Sequence, residues 1–401
     1  MSSPRRRERF AGGSFYERAG TLIGRLEISL DALRHNATLL RDLVGAERAA
    51  FVVKGNAYGH GLVPVARAIE PFAARLCVYT IEEALALRAG GIAAPLLVLG
   101  PIPPQALDDA LAASLEVVLW STGEFAHRLA ANARKRDGSV AVHVKVNTDL
   151  NRLGFEPHEV AEALDTLGRL PEIEVAGIFS HLASAEELDS PYTMFQLAAF
   201  DRAIEQATPV IERMASPPMR HIAASAAAML WPQTRLDLVR YGIALYGLMP
   251  SQQTREALGA SAPELRPALS YRSQIVVTRI IPAGASVGYG RTFHAPREMR
   301  IGVVPAGYAD GVPRALSNRG SFVVDGALCP IVGRVAMNMT EIDLTAAPSA
   351  RVGSAVTLIG TDRDAVVSAD DWAAWSDTIN YEIVTRLPSE LRREYTGIAT
   401  T

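Results

Sequence analysis

The sequence predicts an α/β fold, a (β/α)8 barrel followed by a mostly antiparallel β domain. Three observations carry this. Continuously apolar runs of strand length alternate with amphipathic stretches at helical spacing through the first two thirds of the chain. About eight such units fit into roughly 200–250 residues, the size of one barrel. After residue 265 the helix-like stretches give way to strand runs separated by Gly, Pro, Asp and Asn. At 401 residues the chain has room for two domains of a typical ~100–200 residues each.

Residues 1–20 read as a loose tail. Arg5, Arg6, Arg7 and Arg9 invite a targeting reading, but the following FAGGSFYERAG has no continuous apolar stretch. Residues 21–36 look like a strand running into a helix; that strand could belong to either domain, and residues 21–264 are assigned to the barrel. Its strand candidates are AAFVVK (49–54), LCVYT (76–80), LLVLG (96–100), EVVLW (116–120), VAVHVKVNT (140–148), EVAGIFSHL (174–182), RHIAAS (220–225) and LVRYGIALYG (238–247). Between them lie helical patterns at 81–90, 103–114, 121–136 and 192–207. Parallel strands covered by helices are buried on both faces, which explains runs that do not alternate. A doubly wound open sheet is the competing arrangement. The boundary falls near 260–265, in the polar, Pro-bearing SQQTREALGASAPELRP, and residues 265–401 form the β domain.

Composition excludes several classes. With 40 Lys+Arg against 43 Asp+Glu the net charge is -3, so no basic field argues for a nucleic-acid partner. Cys77 and Cys329 form no paired metal or redox spacing. No apolar segment approaches the ~18–20 residues of a membrane span. The expectation is a soluble, cytoplasmic protein.

In a barrel, chemistry gathers at the C-terminal ends of the strands. Lys54 ends the first run after five nonpolar residues. Desolvation there would depress its pKa and make it a Schiff-base nucleophile; a lysine reaching out to solvent is the alternative. GNAYGHG follows, with glycines that let backbone approach a ligand. Arg152, His181 and Ser225 follow the fifth, sixth and seventh runs, and Arg240 lies in the eighth beside Tyr241 and Gly242. Ser225 opens ASAAAMLW, either as an anion-binding helix start or as an ordinary N-cap. Strand ends seven and eight are also where many barrels hold phosphate.

VVKGNAYGHG (52–61) resembles the pyridoxal-phosphate lysine signature of bacterial alanine racemases. KVNTDLNRLGF (145–155), FSHLASAEE (179–187), VRYGIALYG (239–247), VGYGRTF (287–293), PAGYADGVPR (305–314), VGRVAMN (332–338) and NYEIVTRL (380–387) resemble segments of that family in the same order. The resemblance implies pyridoxal 5'-phosphate as cofactor, alanine as substrate, and a homodimer with shared active sites that supplies D-alanine for peptidoglycan. It implies that Lys54 holds the cofactor as an internal aldimine and serves as one base, while the partner subunit's Tyr289 is the opposing base. Arg240 would bond the pyridine nitrogen and Arg152 the phenolic oxygen, with Arg152 also at the substrate. Tyr58, Ser225, Gly242, Ile243 and Tyr381 would hold the phosphate. Tyr308 and Met337, again from the partner, would face the substrate, and His181 would back Tyr289. Lys145 matches a lysine that is carbamylated in some members.

Two bases are needed because a single group on one face returns the proton to where it came from. A tyrosine, with an ordinary pKa of about 10, acts as a base near neutrality only if positive charge or hydrogen bonds stabilise its phenolate. His181 and Arg240 are candidates for that. Arg240, always protonated, would keep the ring nitrogen unprotonated, which disfavours transamination. The chain departs from the family at Asn147 (commonly Asp), Asp149 (commonly Gly) and Ala336-Met337-Asn338 (commonly Cys-Met-Asp), which bears on substrate breadth. A noncatalytic carrier resembles the barrel alone and lacks a β domain. A decarboxylase would place an acid at the ring nitrogen, and a racemase of serine or another amino acid is the closer alternative.

Overall fold

A computed structural model describes residues 24–397. The chain divides into two compact units: Ser29–Ala268 with the described residues from Tyr395 onward, and Leu269–Glu394 with the described residues up to Ile28.

In the first unit the chain enters from β1 (Arg25–Ser29) and builds eight parallel strands. These are β2 (Ala49–Val52), β3 (Arg75–Val78), β4 (Leu96–Val98), β5 (Leu115–Leu119), β6 (Val140–Lys145), β7 (Ile173–Phe179), β8 (Met219–His221) and β9 (Val239–Tyr241). They neighbour one another in sequence order, with β9 beside β2. A parallel bridge between Ala224 and Arg240, with the Arg240 amide donating to the Ala223 carbonyl at 3.1 Å, joins β8 to β9. That bridge closes the ring and decides for the barrel against an open sheet. Every residue of β2, β4 and β5 is buried, as expected of strands covered on both faces. The expected helices form at Ile81–Ala89, Leu107–Ala112, Glu124–Lys135 and Tyr192–Ile211.

The second unit is mostly antiparallel. Its largest sheet runs Ala327–Pro330, Ser321–Val324, Ala355–Asp362, β10 (Leu269–Gln274), β1 and an edge strand, Arg392–Thr396. A three-stranded sheet pairs Val277–Ile281, Met299–Val304 and Thr340–Asp343. The rings of Tyr271, Phe322 and Trp372 pack in its core, with centroids 6.4 and 6.2 Å from Trp372.

One strand inside the 21–264 range pairs with this sheet instead of the barrel. β1 runs antiparallel to β10, with Leu26 opposite Tyr271. Its burial alternates, Leu26 and Ile28 in and Arg25, Glu27 and Ser29 partly out, which is the pattern of a sheet with one covered face. The polar stretch 251–267 contains a helix, Gln252–Leu258, begun by Ser251, whose hydroxyl accepts the Thr254 amide. The units part in sequence at Ala268/Leu269. Among the described residues no helix is long and apolar enough to cross a membrane.

Candidate active site

Lys54 follows β2 by one residue and opens a tight turn in which Gly55, Asn56, Ala57 and Tyr58 all have left-handed backbone, φ between 51 and 64°. The turn buries the Tyr58 ring against Tyr246, centroids 4.9 Å apart. Burial raises the Tyr58 phenol's pKa, so it is a neutral donor. Its hydroxyl lies against Gly242, where a Cβ would come within 2.6 Å of it. The Gly242 amide in turn donates to the Ser225 hydroxyl at 3.0 Å. Tyr58, Ser225 and Gly242 thus converge from three strand ends, and any Cβ at 242 would push the buried Tyr58 hydroxyl aside. Ile243 opens the next turn, Ile243–Tyr246, and is buried. The helix that Ser225 opens spans only six residues.

Arg240 is almost fully buried and donates to the Ser180 carbonyl (2.8 Å), the Ile222 carbonyl (3.2 Å), His181 Nδ1 (3.3 Å) and His221 Nδ1 (2.6 Å). Arginine has only donors, so His221 Nδ1 must accept and its proton must sit on Nε2. That N–H meets His143 Nδ1 at 2.9 Å, leaving the His143 proton on Nε2, 3.1 Å from Glu116 Oε2. Arg75 closes the series on Glu116 at 2.8 Å. Every proton in Arg240–His221–His143–Glu116–Arg75 is therefore placed by one constraint, and both imidazoles are neutral. Burial, chiefly, lowers both histidines' pKa values. Glu116 is pushed up by burial, but its bonds to His143 and Arg75 outweigh this and leave it lowered.

His143 fits because Gly177 lies opposite it in β7. A Cβ there would overlap the imidazole. Gly177→Ala is expected to displace the ring, break its contact with His221 and cost about 2–4 kcal/mol of folding free energy. A urea midpoint unchanged from the parent would contradict this.

Four cations gather around this rim: Lys54, Lys145, Arg152 and Arg240. Burial and then Arg152 lower the Lys54 pKa, with Glu83 opposing. Lys145, buried at the end of β6, is lowered to about 8 by burial and then by Arg152, Arg240 and Lys54. Burial lowers Arg240 to about 10, and burial with the same four cations lowers His181 to about 3. Among the described residues none of the four makes an ion pair with a carboxylate. The site is built for an anionic ligand. Arg152 itself is exposed, on a loop shaped by Asn147, which accepts the Asn151 amide at 2.9 Å and donates to Glu156 at 2.8 Å. An aspartate at 147 would set two carboxylates together. Asp149, at φ 70°, holds a conformation that glycine adopts freely.

The structure thus brings Lys54, Tyr58, Lys145, Arg152, His181, Ser225, Arg240, Gly242 and Ile243 to one end of the barrel. The remaining site candidates lie in the other unit. Tyr289, 74 % exposed, sits in a turn between Gly288 and Gly290. Tyr308 and Met337 are exposed on adjoining loops, the Tyr308 amide donating to the Ala336 carbonyl (3.0 Å) and the Ala309 amide to the Met337 carbonyl (2.8 Å). Tyr381 lies on the helix Asn380–Thr385. Sequence reasoning missed Glu83, Glu116, His143 and His221. The signal for the last three was a polar residue inside an otherwise apolar barrel run.

Two family models match the chain, the alanine racemase N-terminal domain over residues 28–250 and the C-terminal domain over 268–395. Alanine racemase of Symbiobacterium thermophilum is 39% identical over 373 residues, covering 92% of this chain and 96% of its own. That of Desulforamulus reducens is 38% identical, covering 92% and 98%. The crystal structure of alanine racemase from Streptomyces lavendulae superposes with a TM-score of 0.87 at 35% identity, covering 94% of this chain and 97% of that one. With the eight-stranded barrel, the cationic rim and both family models in register along the chain, this protein belongs to the alanine racemase family.

Proposed function

We propose that this chain interconverts L- and D-alanine with pyridoxal 5'-phosphate, as a cytoplasmic homodimer that supplies D-alanine for peptidoglycan. The observation that carries the reading is the cationic rim, whose four cations make no ion pair with a carboxylate among the described residues, set beside the Tyr58–Ser225–Gly242 cradle. Its chemistry fits a ligand with a phosphate, a phenolate and a neighbouring substrate carboxylate. When bound, the cofactor supplies an electron sink that makes the Cα–H of an amino acid acidic.

The chain's own residues do the rest. Tyr58, Ser225, Gly242 and Ile243, with Tyr381, hold the phosphate; Lys54 attaches the cofactor and moves a proton at its amine on one face. Arg240, held on four acceptors, would face the ring nitrogen as a donor that gives no proton away. Arg152 donates to the phenolic oxygen and the substrate carboxylate. The partner subunit's Tyr289 moves the proton on the opposite face, and the exposed Tyr289, Tyr308 and Met337 support a surface completed by a second copy. His181 stays neutral among the cations. Lys145 would carry the carbamate, exchanging one rim cation for an anion beside Arg152.

The test is incubation of the purified protein with L-alanine and, separately, L-serine in deuterated water. Expected is a racemic, Cα-deuterated alanine pool and slower change in serine. Recovery of unlabelled L-isomers only would overturn the reading, and faster serine turnover would reassign the substrate.

A further inference from the structure

The turn that carries Lys54 is strained. Three consecutive L-residues, Asn56, Ala57 and Tyr58, hold φ of 54, 53 and 51°, each disfavoured by roughly 1–2 kcal/mol. Part of what holds it is local. Ala57 N–H donates to the Val53 carbonyl at 2.8 Å, and Asn56 Oδ1 accepts the Leu62 amide at 2.8 Å. The first two amides of the turn, Gly55 and Asn56, reach instead to a residue from the next strand–helix unit. Both donate to Glu83 Oε1, at 2.6 and 3.4 Å.

The other oxygen of the same carboxylate accepts the amides of Tyr79 and Thr80, at 3.0 and 3.3 Å, in the loop that follows β3. Glu83 is placed for this by its position in the helix Ile81–Ala89, where it forms a capping box with Thr80. A capping-box glutamate needs only one oxygen for its own N-cap amide. Here the second oxygen reaches across to the Lys54 turn. The Tyr79 ring, on the other side of the clamp, lies 5.9 Å from Lys54 Nζ. Glu83 is also the carboxylate that opposes the cations around Lys54, raising its pKa where Arg152 and Arg240 lower it.

We propose that Glu83 is a positioning residue for Lys54: its carboxylate ties two successive strand-end loops together, fixes the left-handed turn, and sets the charge balance at the Lys54 amine. The functional side of this rests on Lys54 being the cofactor lysine; the clamp itself does not. Glu83 acts through Lys54 and the backbone, and touches no reacting atom.

Two readouts on the full-length protein test it. The first is amide hydrogen exchange at Gly55, Asn56, Tyr79 and Thr80, expected to speed up about 10-fold or more in Glu83→Ala. Glu83→Gln keeps the size and one acceptor while removing the charge, and it guards against a misfolded alanine variant. The second is the pH profile of Lys54 labelling by an amine-reactive anhydride, after hydroxylamine removes any carbonyl ligand. In Glu83→Gln the midpoint is expected to move down by about one pH unit, because an anion that favours the ammonium is gone. A purely structural role would leave that midpoint in place. Unchanged exchange at all four amides, or an unchanged midpoint in Glu83→Gln, overturns the proposal. Borohydride reduction of the untreated protein and peptide mapping tests the Lys54 reading separately: loss of the reduced Lys54 peptide would sink that reading and leave the clamp result standing.

Discussion

Replacing Tyr289 with phenylalanine is expected to cut alanine racemisation by about 10²–10⁴-fold, the range that one positioned acid–base group contributes. The side chain is 74 % exposed, so the unfolding free energy from urea titration should stay within about 0.5 kcal/mol of the parent. With Lys54 as the base on one face, as proposed, exchange of the Cα hydrogen of one enantiomer should persist without inversion. Lys54→Ala should lose both inversion and cofactor attachment. The pair also tests whether the sites are shared between subunits. Neither variant should racemise alanine at an appreciable rate alone, but if Tyr289 reaches the partner's site, a mixed dimer has one site with both lesions and one with neither. Statistical mixing of a two-fold dimer should then restore about a quarter of parental activity. A mixture as inactive as its components would rule out the exchange of Tyr289 between subunits.

Acidification should destabilise the barrel steeply below pH 6.5. His143 and His221 are wholly buried and held neutral: His221 faces Arg240 and His143, and for His143, between His221 and Glu116, burial outweighs the carboxylate. In the unfolded chain both bind a proton near pH 6.5, while in the folded chain they do not. Below that pH the unfolded state holds more protons, so stability is fully present above it and falls as pH drops. Going from about pH 7.5 to about 5.5 should cost about 3 kcal/mol from these two residues, with His181, lowered to about 3, adding to it in the same sense. The lowered Glu116 extends the loss as pH falls further below its ordinary range. Urea titrations across this window should show an uptake of two to three protons on unfolding. An uptake below one proton would mean that the imidazoles are charged in the fold and that the proton placement from Arg240 to Glu116 is wrong.

The barrel was legible because short, continuously apolar runs alternate with helical patterns, which is what strands covered on both faces require: β2, β4 and β5 are buried throughout. β1 is legible as a strand but not as a member of either domain, because its five residues alternate and a single short alternating strand carries no address. Its partner, β10, lies some 240 residues away in the chain and is found only by pairing Leu26 with Tyr271. The rim residues were legible because strand ends are countable. Lys54, Arg152, His181, Ser225 and Arg240 all follow or sit in a recognised run.

What the sequence determined by itself is the order of strands and helices and the residue types at each strand end, since both follow from periodicity along the chain. Only the tertiary structure decided how those ends are wired. Glu83 reads as a capping residue until its second oxygen is seen on the Lys54 turn. His143, Glu116 and His221 read as isolated polar residues in three strands until closure of the barrel sets them in hydrogen-bonding line with Arg240. The reason is physical: propensity and pattern act over a few residues, whereas the direction of a hydrogen bond inside a barrel depends on which strand ends meet across it.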